Sequence, residues 1–448
     1  MNIMFMKLKN LLKVIVLKKL KVIVPVLILV IISVVLLVYF SQKPLTVASN
    51  GKTKYTIIHK DTLTDLNYAY FLKDEISKIT GANLTIRTED SVGDTKGYEI
   101  ILGDVDRDGH TIDVSELGKF GYVIEVVGKK IYIKGSTEYG TYTGIKTFLE
   151  KFNNKGKIVV NKKTYEKGDG LDMIISPIET ELKIDGIKKD YIFVHVTDSH
   201  LTLFSDDDTK EVKASAYGRS QVFKTADGIP SGDRFPAFFE YAEKVNADMI
   251  FLTGDIADFP TEANIKAIAD NVSRSKVPSL YVLGNHDWSF EFDYHSQSTK
   301  EKYIPKYKDL CGGNTDFQVK QFDDLQIIAI NNSQDQVTYE QYELTKKQLE
   351  NGLPTIIIMH IPIYVDTLAQ ATIDVWGKPI LMGPGGVSPA ESTTLFYNLI
   401  TDENNNVQAI FAGHVHFDHE DEFLPGRMQI VTKNATDGHF RVVKISGK

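Results

Sequence analysis

Asp198-Ser199-His200, Gly254-Asp255-Ile256-Ala257-Asp258, Gly284-Asn285-His286-Asp287, His360 and Gly413-His414-Val415-His416 follow one another along the chain. Each comes directly after an apolar run of strand length, such as YIFVHV, MIFLT, SLYVL, TIIIM or VQAIFA. Carboxylate and amide oxygens together with imidazole nitrogens are the donor set of divalent transition metals. Metals held in this way polarise an ester and activate water, so hydrolysis is the chemistry such a set supports. One histidine after one strand is usually a core or surface residue. The meaning lies in the ordered set, with chemistry at the end of every strand.

The elements that must position these residues follow from hydrophobic periodicity. Continuous apolar runs mark strands buried on both faces, and amphipathic segments between them mark helices, for instance Phe235, Phe238, Phe239 and Ala242 at helical spacing. The result is an α/β sandwich over residues 191–446, flanked by helices, with polar loops at the carboxyl ends of the strands, where such sheets bind ligands. Residues 55–165 read as a smaller α+β domain. It has a strand at YTIIH, a helix at LNYAYFLKDEISKIT, strands near NLTIR and EIILG, a hairpin GYVIEVVGKKIYIKG and a closing helix TYTGIKTFLEKF. Residues 166–190 read as a linker and residues 41–54 as a polar stalk.

Ahead of the stalk, residues 22–40 form 19 uncharged, mostly apolar positions. At about 1.5 Å of rise per helical residue they nearly cover a hydrocarbon core of about 30 Å. A transmembrane helix or signal anchor is expected there, and a cleaved signal peptide is the alternative, which would make the protein secreted. Residues 1–21 carry Lys7, Lys9, Lys13, Lys18, Lys19 and Lys21 without an acidic residue, so they should stay in the cytoplasm with all that follows Phe40 outside. The single cysteine, Cys311, rules out an internal disulfide framework. Beyond Lys43 there remain 44 basic against 59 acidic residues, a formal charge of −15, and no nucleic-acid-binding surface is expected.

The ordered set of clusters is identified as that of the calcineurin-like metallophosphoesterases, over about residues 191–446. Carried over by position, the resemblance implies two divalent metal ions (manganese, iron or zinc). One would be held by Asp198, His200 and His416, the other by Asn285, His360 and His414, with Asp255 shared. It implies hydrolysis of a phosphate mono- or diester by a bridging hydroxide, with His286 giving a proton to the leaving oxygen and Asp258 orienting His286. Asp258 stands where purple acid phosphatases have a tyrosine, and Phe259-Pro260 where phosphoprotein phosphatases have Arg-Gly, so neither branch is expected. The stretch LKDEISKITGANL, EIILG and IYIKGSTEYGTYTGIKTFLE resembles the N-terminal accessory domain of β-hexosaminidase-type glycoside hydrolases. No chemistry is assigned to it.

The segments 201–231 and 364–389 flank the clusters in sequence and should choose the substrate, with Tyr217, Arg219, Arg234 and Trp376 as contacts for phosphate or an organic group. Gly383-Pro384-Gly385-Gly386 lacks the lysine and hydroxyl residue of a phosphate-binding loop and reads as a flexible connection. His295, His419 and His439 read as solvated loop residues, and Asp206-Asp207-Asp208 as a solvated turn. Three functional readings stand: a phosphohydrolase on the outer side of the membrane; a noncatalytic cell-surface glycan-binding protein with a vestigial metal site; and a combination of the two that trims phosphate from a phosphorylated envelope glycan.

Overall fold

The computed structural model describes residues 43–93, 97–293 and 295–448, which fall into two compact units divided between Gly170 and Leu171. The basic segment 1–21 and the apolar run 22–40 lie outside the described residues. Among the described residues no helix is long and apolar enough to cross a membrane.

In the first unit the strands are β1 (Leu45–Ser49), β2 (Lys52–Thr53), β3 (Tyr55–His59), β4 (Thr85–Thr88), β5 (Tyr98–Leu102), β6 (Tyr122–Val127), β7 (Lys130–Gly135), β8 (Lys157–Val160) and β9 (Tyr165–Gly168). They form a sheet of order β4-β3-β5-β7-β6-β9 and a small one of order β2-β1-β8. The helix Leu63–Thr80 starts at Thr62, whose side chain accepts from the Asp65 amide, and ends at Gly81 with φ of 73°. With the helix Glu138–Lys151 it covers a core that includes Ile57, Leu72, Ile76, Ile100, Ile133 and Phe148. Residues 41–54 are therefore not simply a stalk. Leu45, Val47 and Ala48 are buried, and Leu45 pairs with Val160. That partner is remote in sequence, so nothing local announces the strand.

In the second unit the strands are β10 (Ser176–Ile184), β11 (Tyr191–Val196), β12 (Met249–Thr253), β13 (Ser279–Val282), β14 (Phe317–Gln321), β15 (Gln326–Ile330), β16 (Thr355–Ile358), β17 (Val407–Ala412), β18 (His419–Leu424), β19 (Arg427–Val431) and β20 (His439–Gly447). Their orders are β10-β20-β11-β12-β13 and β14-β15-β16-β17-β19-β18. Phe193, Phe251 and Val443 of one sheet and Ile327, Ile356, Ile358 and Phe411 of the other share one core, so the sheets pack face to face. The alternate residues Ile328, Ile357 and Ile410 point the other way, under Phe396 and Ile400 of the helix Glu391–Ile400. Burial on both faces explains why these strands read as unbroken apolar runs.

The expected linker, residues 166–190, is a correction. Tyr165–Gly168 is the edge strand β9 of the first unit, and Ser176–Ile184 is β10, paired in parallel with β20 from Ser176↔His439 to Ile184↔Gly447. Only Thr180 and Ile184 of β10 are buried, so its edge position leaves too weak an apolar signal to separate from a linker.

Strands β11, β12 and β13 run parallel in one sheet, as do β16 and β17 in the other, and their carboxyl ends carry all the clusters. One side chain ties two of the loops together. The Asp287 carboxylate accepts from the amides of Asp255 (2.9 Å) and Gly284 (2.7 Å) on Oδ2, and from the Ala257 amide (2.8 Å) and the Tyr281 hydroxyl (2.7 Å) on Oδ1. Asp287→Asn should therefore be costly although it is isosteric, because either amide orientation sets NH₂ hydrogens against two donors. Urea unfolding should show a loss of about 2–3 kcal/mol, the cost of unsatisfied buried polar groups. A variant as stable as the parent would show that Asp287 does not hold the loops.

Candidate metal centre

The backbone at the strand ends is strained in the same way at five of the candidate ligands. Asp198 (φ 51°), His200 (46°), Asp255 (49°), His414 (71°) and His416 (64°) all sit in the left-handed region, which costs a non-glycine residue about 1–3 kcal/mol. This turns each side chain back across the end of its own strand. Two glycines leave room for the turns. A Cβ on Gly254, itself at φ 87°, would lie 2.6 Å from the Gly284 nitrogen and 2.7 Å from His360 Nδ1. One on Gly413 would collide with the side chains of Thr197 and Asp198.

Two groups of donor atoms result. In the first, His200 Nε2 lies 3.0 Å from His416 Nε2 and 3.8 Å from Asp198 Oδ1, and His416 Nε2 lies 3.3 Å from that same oxygen. In the second, His360 Nε2 lies 3.2 Å from each of Asn285 Oδ1, His414 Nδ1 and Asp255 Oδ2. For His200 and His360 the other ring nitrogen is engaged elsewhere, which fixes the ring. His200 Nδ1 donates to Asp258 Oδ1 at 2.8 Å and His360 Nδ1 to the Thr253 carbonyl at 2.8 Å, which turns each Nε2 into the site.

These residues fit divalent cations on evidence internal to the chain. Asp198 and Asp255 are almost wholly buried, and among the described residues no lysine or arginine forms an ion pair with either. Asp198 Oδ2 accepts from Thr197 Oγ1 (2.6 Å) and the His414 amide (2.9 Å), while buried Oδ1 has only the imidazoles of His416, at 3.3 Å, and His200, at 3.8 Å, beside it. Burial alone would raise the Asp198 carboxyl; the bond from His416 and the charge on His360 hold it well below the usual carboxylate range. His360 shows the opposite balance. Burial lowers it, yet the Asp255 carboxylate beside it carries it up to about 10. Burial, reinforced by charged His360, pushes His414 down to about 3. Positive charge is in demand exactly where the oxygen and nitrogen donors converge.

Asp258 serves more partners than the sequence indicated. Besides His200 it takes a two-point contact from Arg219, with Nε to Oδ2 at 2.6 Å and Nη2 to Oδ1 at 2.7 Å. His286 Nδ1 lies 3.2 Å from the Asp258 backbone carbonyl and 3.3 Å from Oδ1. Arg219 also pairs with Glu291 (2.9 Å) and lies over the Phe223 ring, which stacks on His200 at 4.4 Å. Arg219 is thus committed to the wall of the site, a correction to its expected role as a substrate contact. Arg234 is another: it is buried and grips Asp227 through both carboxylate oxygens at 2.8 Å.

His286 and Trp376 line a cavity of about 350 Å³ together with Asp255, Asn285, His414 and His416. His295, read from the sequence as solvated, lines it too, with its ring stacked on Trp288 at 5.0 Å and its pKa pushed down to about 4 by burial. Tyr217 remains exposed, and His419 pairs with Asp421 at 2.9 Å and His439 with Asp437 at 2.7 Å. The loop after Gly383 is less free than its composition implies, because Val387 donates to the Leu381 carbonyl and Tyr364 to that of Met382. Sequence reasoning missed Asp287, whose pKa burial and the nearby Asp255 charge raise to about 7, and Lys378, which also lines the cavity. Adjacency to Asn285 and His286 was the available signal for Asp287; Lys378 had none.

Among known proteins, a probable cyclic nucleotide phosphodiesterase of Moraxella catarrhalis (strain BBH18) is 25% identical over 215 residues, 47% of this chain and 74% of that protein. A dimetal phosphatase from Danio rerio superposes at a TM-score of 0.36 with 11% identity, covering 55% of this chain and 88% of its own. The GH20 β-N-acetylhexosaminidase of Streptomyces coelicolor A3(2) superposes at 0.24 with 13% identity, covering 83% and 58%. The assignment rests on neither superposition. The family model for calcineurin-like phosphoesterases matches residues 191–418, just over half of the 448, and spans every cluster described above. The chain belongs to the calcineurin-like phosphoesterase family and is a metallophosphoesterase, a hydrolase of phosphate esters that depends on divalent metal ions.

Proposed function

We propose that the protein hydrolyses a phosphate mono- or diester with two divalent ions and does so on the outer side of a membrane to which residues 22–40 anchor it. The reading is carried by the meeting of Asp198, His200 and His416 with Asn285, His360 and His414, around an Asp255 that reaches both groups. Asp198, His200 and His416 would hold one ion and Asn285, His360 and His414 the other, with Asp255 within reach of both. Such ions supply a hydroxide nucleophile at neutral pH and positive charge for the phosphoryl oxygens. The chain's own residues do the positioning. Asp258, fixed by Arg219, keeps the His200 ring in place, and the Thr253 carbonyl does so for His360. His286, with Nδ1 on the Asp258 carbonyl, presents Nε2 as the acid that protonates the leaving oxygen.

The full-length chain should lose turnover of p-nitrophenyl phosphate and bis-p-nitrophenyl phosphate after chelation and regain it with manganese, iron or zinc. Asp255→Asn should lower kcat by more than the roughly 10- to 100-fold typical of removing a partner outside the ligand set. Turnover of neither ester with any metal, with Asp255→Asn indistinguishable from the parent, would sink the reading. Protease added to intact cells should cut the chain beyond residue 43; protection in intact cells together with cleavage after lysis would refute the outside location.

A second activity is favoured by the first unit. At the carboxyl ends of β3, β5 and β7 lies a polar cavity of about 440 Å³ lined by Lys60, Asp104, His110 and Lys134 among others. The sheet order turns there, since β4 lies to one side of β3 and β5 to the other, and ligands settle at such switch points. Alternating ammonium donors and carboxylate acceptors suit the hydroxyls of a saccharide, in line with the resemblance to glycosidase accessory domains. A phosphorylated envelope glycan would join both units in one task. Retention on envelope glycan should survive Asp255→Asn and fall with Asp104→Ala plus His110→Ala, while turnover of the chromogenic esters stays at the parental level. Unchanged retention in the double variant would remove the glycan reading. Retention without turnover by the parent would favour a noncatalytic glycan-binding protein.

A further inference from the structure

We propose that Trp376 and Lys378 form a selecting wall of the metal cavity, so that the ester hydrolysed is small and carries a planar aromatic group, aryl or nucleoside, close to its phosphorus. The inference rests on the phosphoester reading of the same site and names the class of substrate.

Trp376 is the last residue of the helix Asp366–Trp376, which ends at Gly377 with φ of 75° and the Gly377 amide on the Ile373 carbonyl. Its indole Nε1 donates to the carbonyl of Val415, at 3.0 Å, between the two histidines of the Gly413–His416 loop. Its ring stands edge-on to His416, with centroids 5.8 Å apart and planes at 81°. The ring is therefore held in place from the metal loop itself, and its one polar atom is already used. Even so it is 46% exposed, whereas Trp288 is 0% exposed. What Trp376 still offers is an apolar face on the cavity, continued by Ile361, Ile380 and Val387. A fixed aromatic face beside a reaction centre suits a flat ring stacked on it.

Lys378 follows two residues later and is the only lysine or arginine among the residues lining the cavity. Among the described residues it makes no ion pair or hydrogen bond. Its ammonium, whose electrostatic neighbour in the cavity is the Asp335 carboxylate, is placed to pair with an anionic oxygen of the incoming ester. At about 350 Å³ the cavity lies at the lower end of the range for small-molecule sites.

The test compares phenyl phosphate with cyclohexyl phosphate, which match in charge and nearly in size but differ in planarity. Competition against initial-rate p-nitrophenyl phosphate turnover by the metal-loaded full-length protein, or calorimetric titration if no ester is turned over, should show the phenyl ester binding about 5- to 100-fold tighter, the range expected for one stacked ring. Trp376→Ala should erase that difference and raise KM for p-nitrophenyl phosphate by a similar factor; Trp376→Phe should restore much of it. Lys378→Gln should weaken both esters alike. Because the chain has two tryptophans, Trp288→Phe leaves Trp376 as the sole indole emitter, and phenyl phosphate should quench it. Equal affinity of the parent for both esters, or equal weakening of both by Trp376→Ala, would overturn the proposal. Discrimination in binding without turnover of any ester would instead remove the catalytic reading and leave the wall standing.

Discussion

Two buried carboxylates, Asp198 and Asp255, with no lysine or arginine ion pair among the described residues, set the terms for the rest of the catalytic unit. Charge taken out of water is tolerated only where opposite charge and hydrogen bonds replace the solvent. Histidines converge on them from His200, His360, His414 and His416, and the cations implied by the family complete the balance. Converging so many groups on one spot from separate strand ends forces the chain to reverse sharply. The left-handed residues and the bare Cα positions of Gly254 and Gly413 are consequences of that crowding. Stiffness must then come from elsewhere, and the Asp287 carboxylate supplies it between two of the loops.

A second layer of order surrounds the first. Asp258 is reached by His200, Arg219 and His286, and Arg219 is itself braced by Glu291 and Phe223. The helix Lys210–Val222, which lies between the first two clusters in sequence, thus contributes to the geometry of groups it never names in its own motif. Segment 364–389 behaves differently. It turns Trp376 and Val387 toward the cavity, so the wall facing the substrate comes from a part of the chain with no motif at all.

These differences explain what could be read from the residues alone. Clusters such as Gly284-Asn285-His286-Asp287 are legible because a strand end and its donors are contiguous, and strands buried on both faces advertise themselves as apolar runs. Asp258 was assigned to His286 alone because its bonds to His200 and Arg219 cross dozens of residues and depend on side-chain direction. Arg219 and Arg234 read alike in sequence as substrate contacts, whereas packing buries one against Asp227 and fastens the other to Asp258. The same blindness to distant pairing made Leu45–Ser49 look like a stalk and Ser176–Ile184 like a linker. Their partners, β8 and β20, lie far along the chain.

The position of β20 has a consequence for how the molecule is made. It lies between β10 and β11, antiparallel to β11 and parallel to β10, although more than two hundred residues separate it from either in sequence. While the polypeptide is being synthesised, β10 and β11 face an empty lane that only β20 can fill. Contacts this remote form late and slowly. A chain emerging in order must therefore keep its catalytic sheet open until β20 has been made.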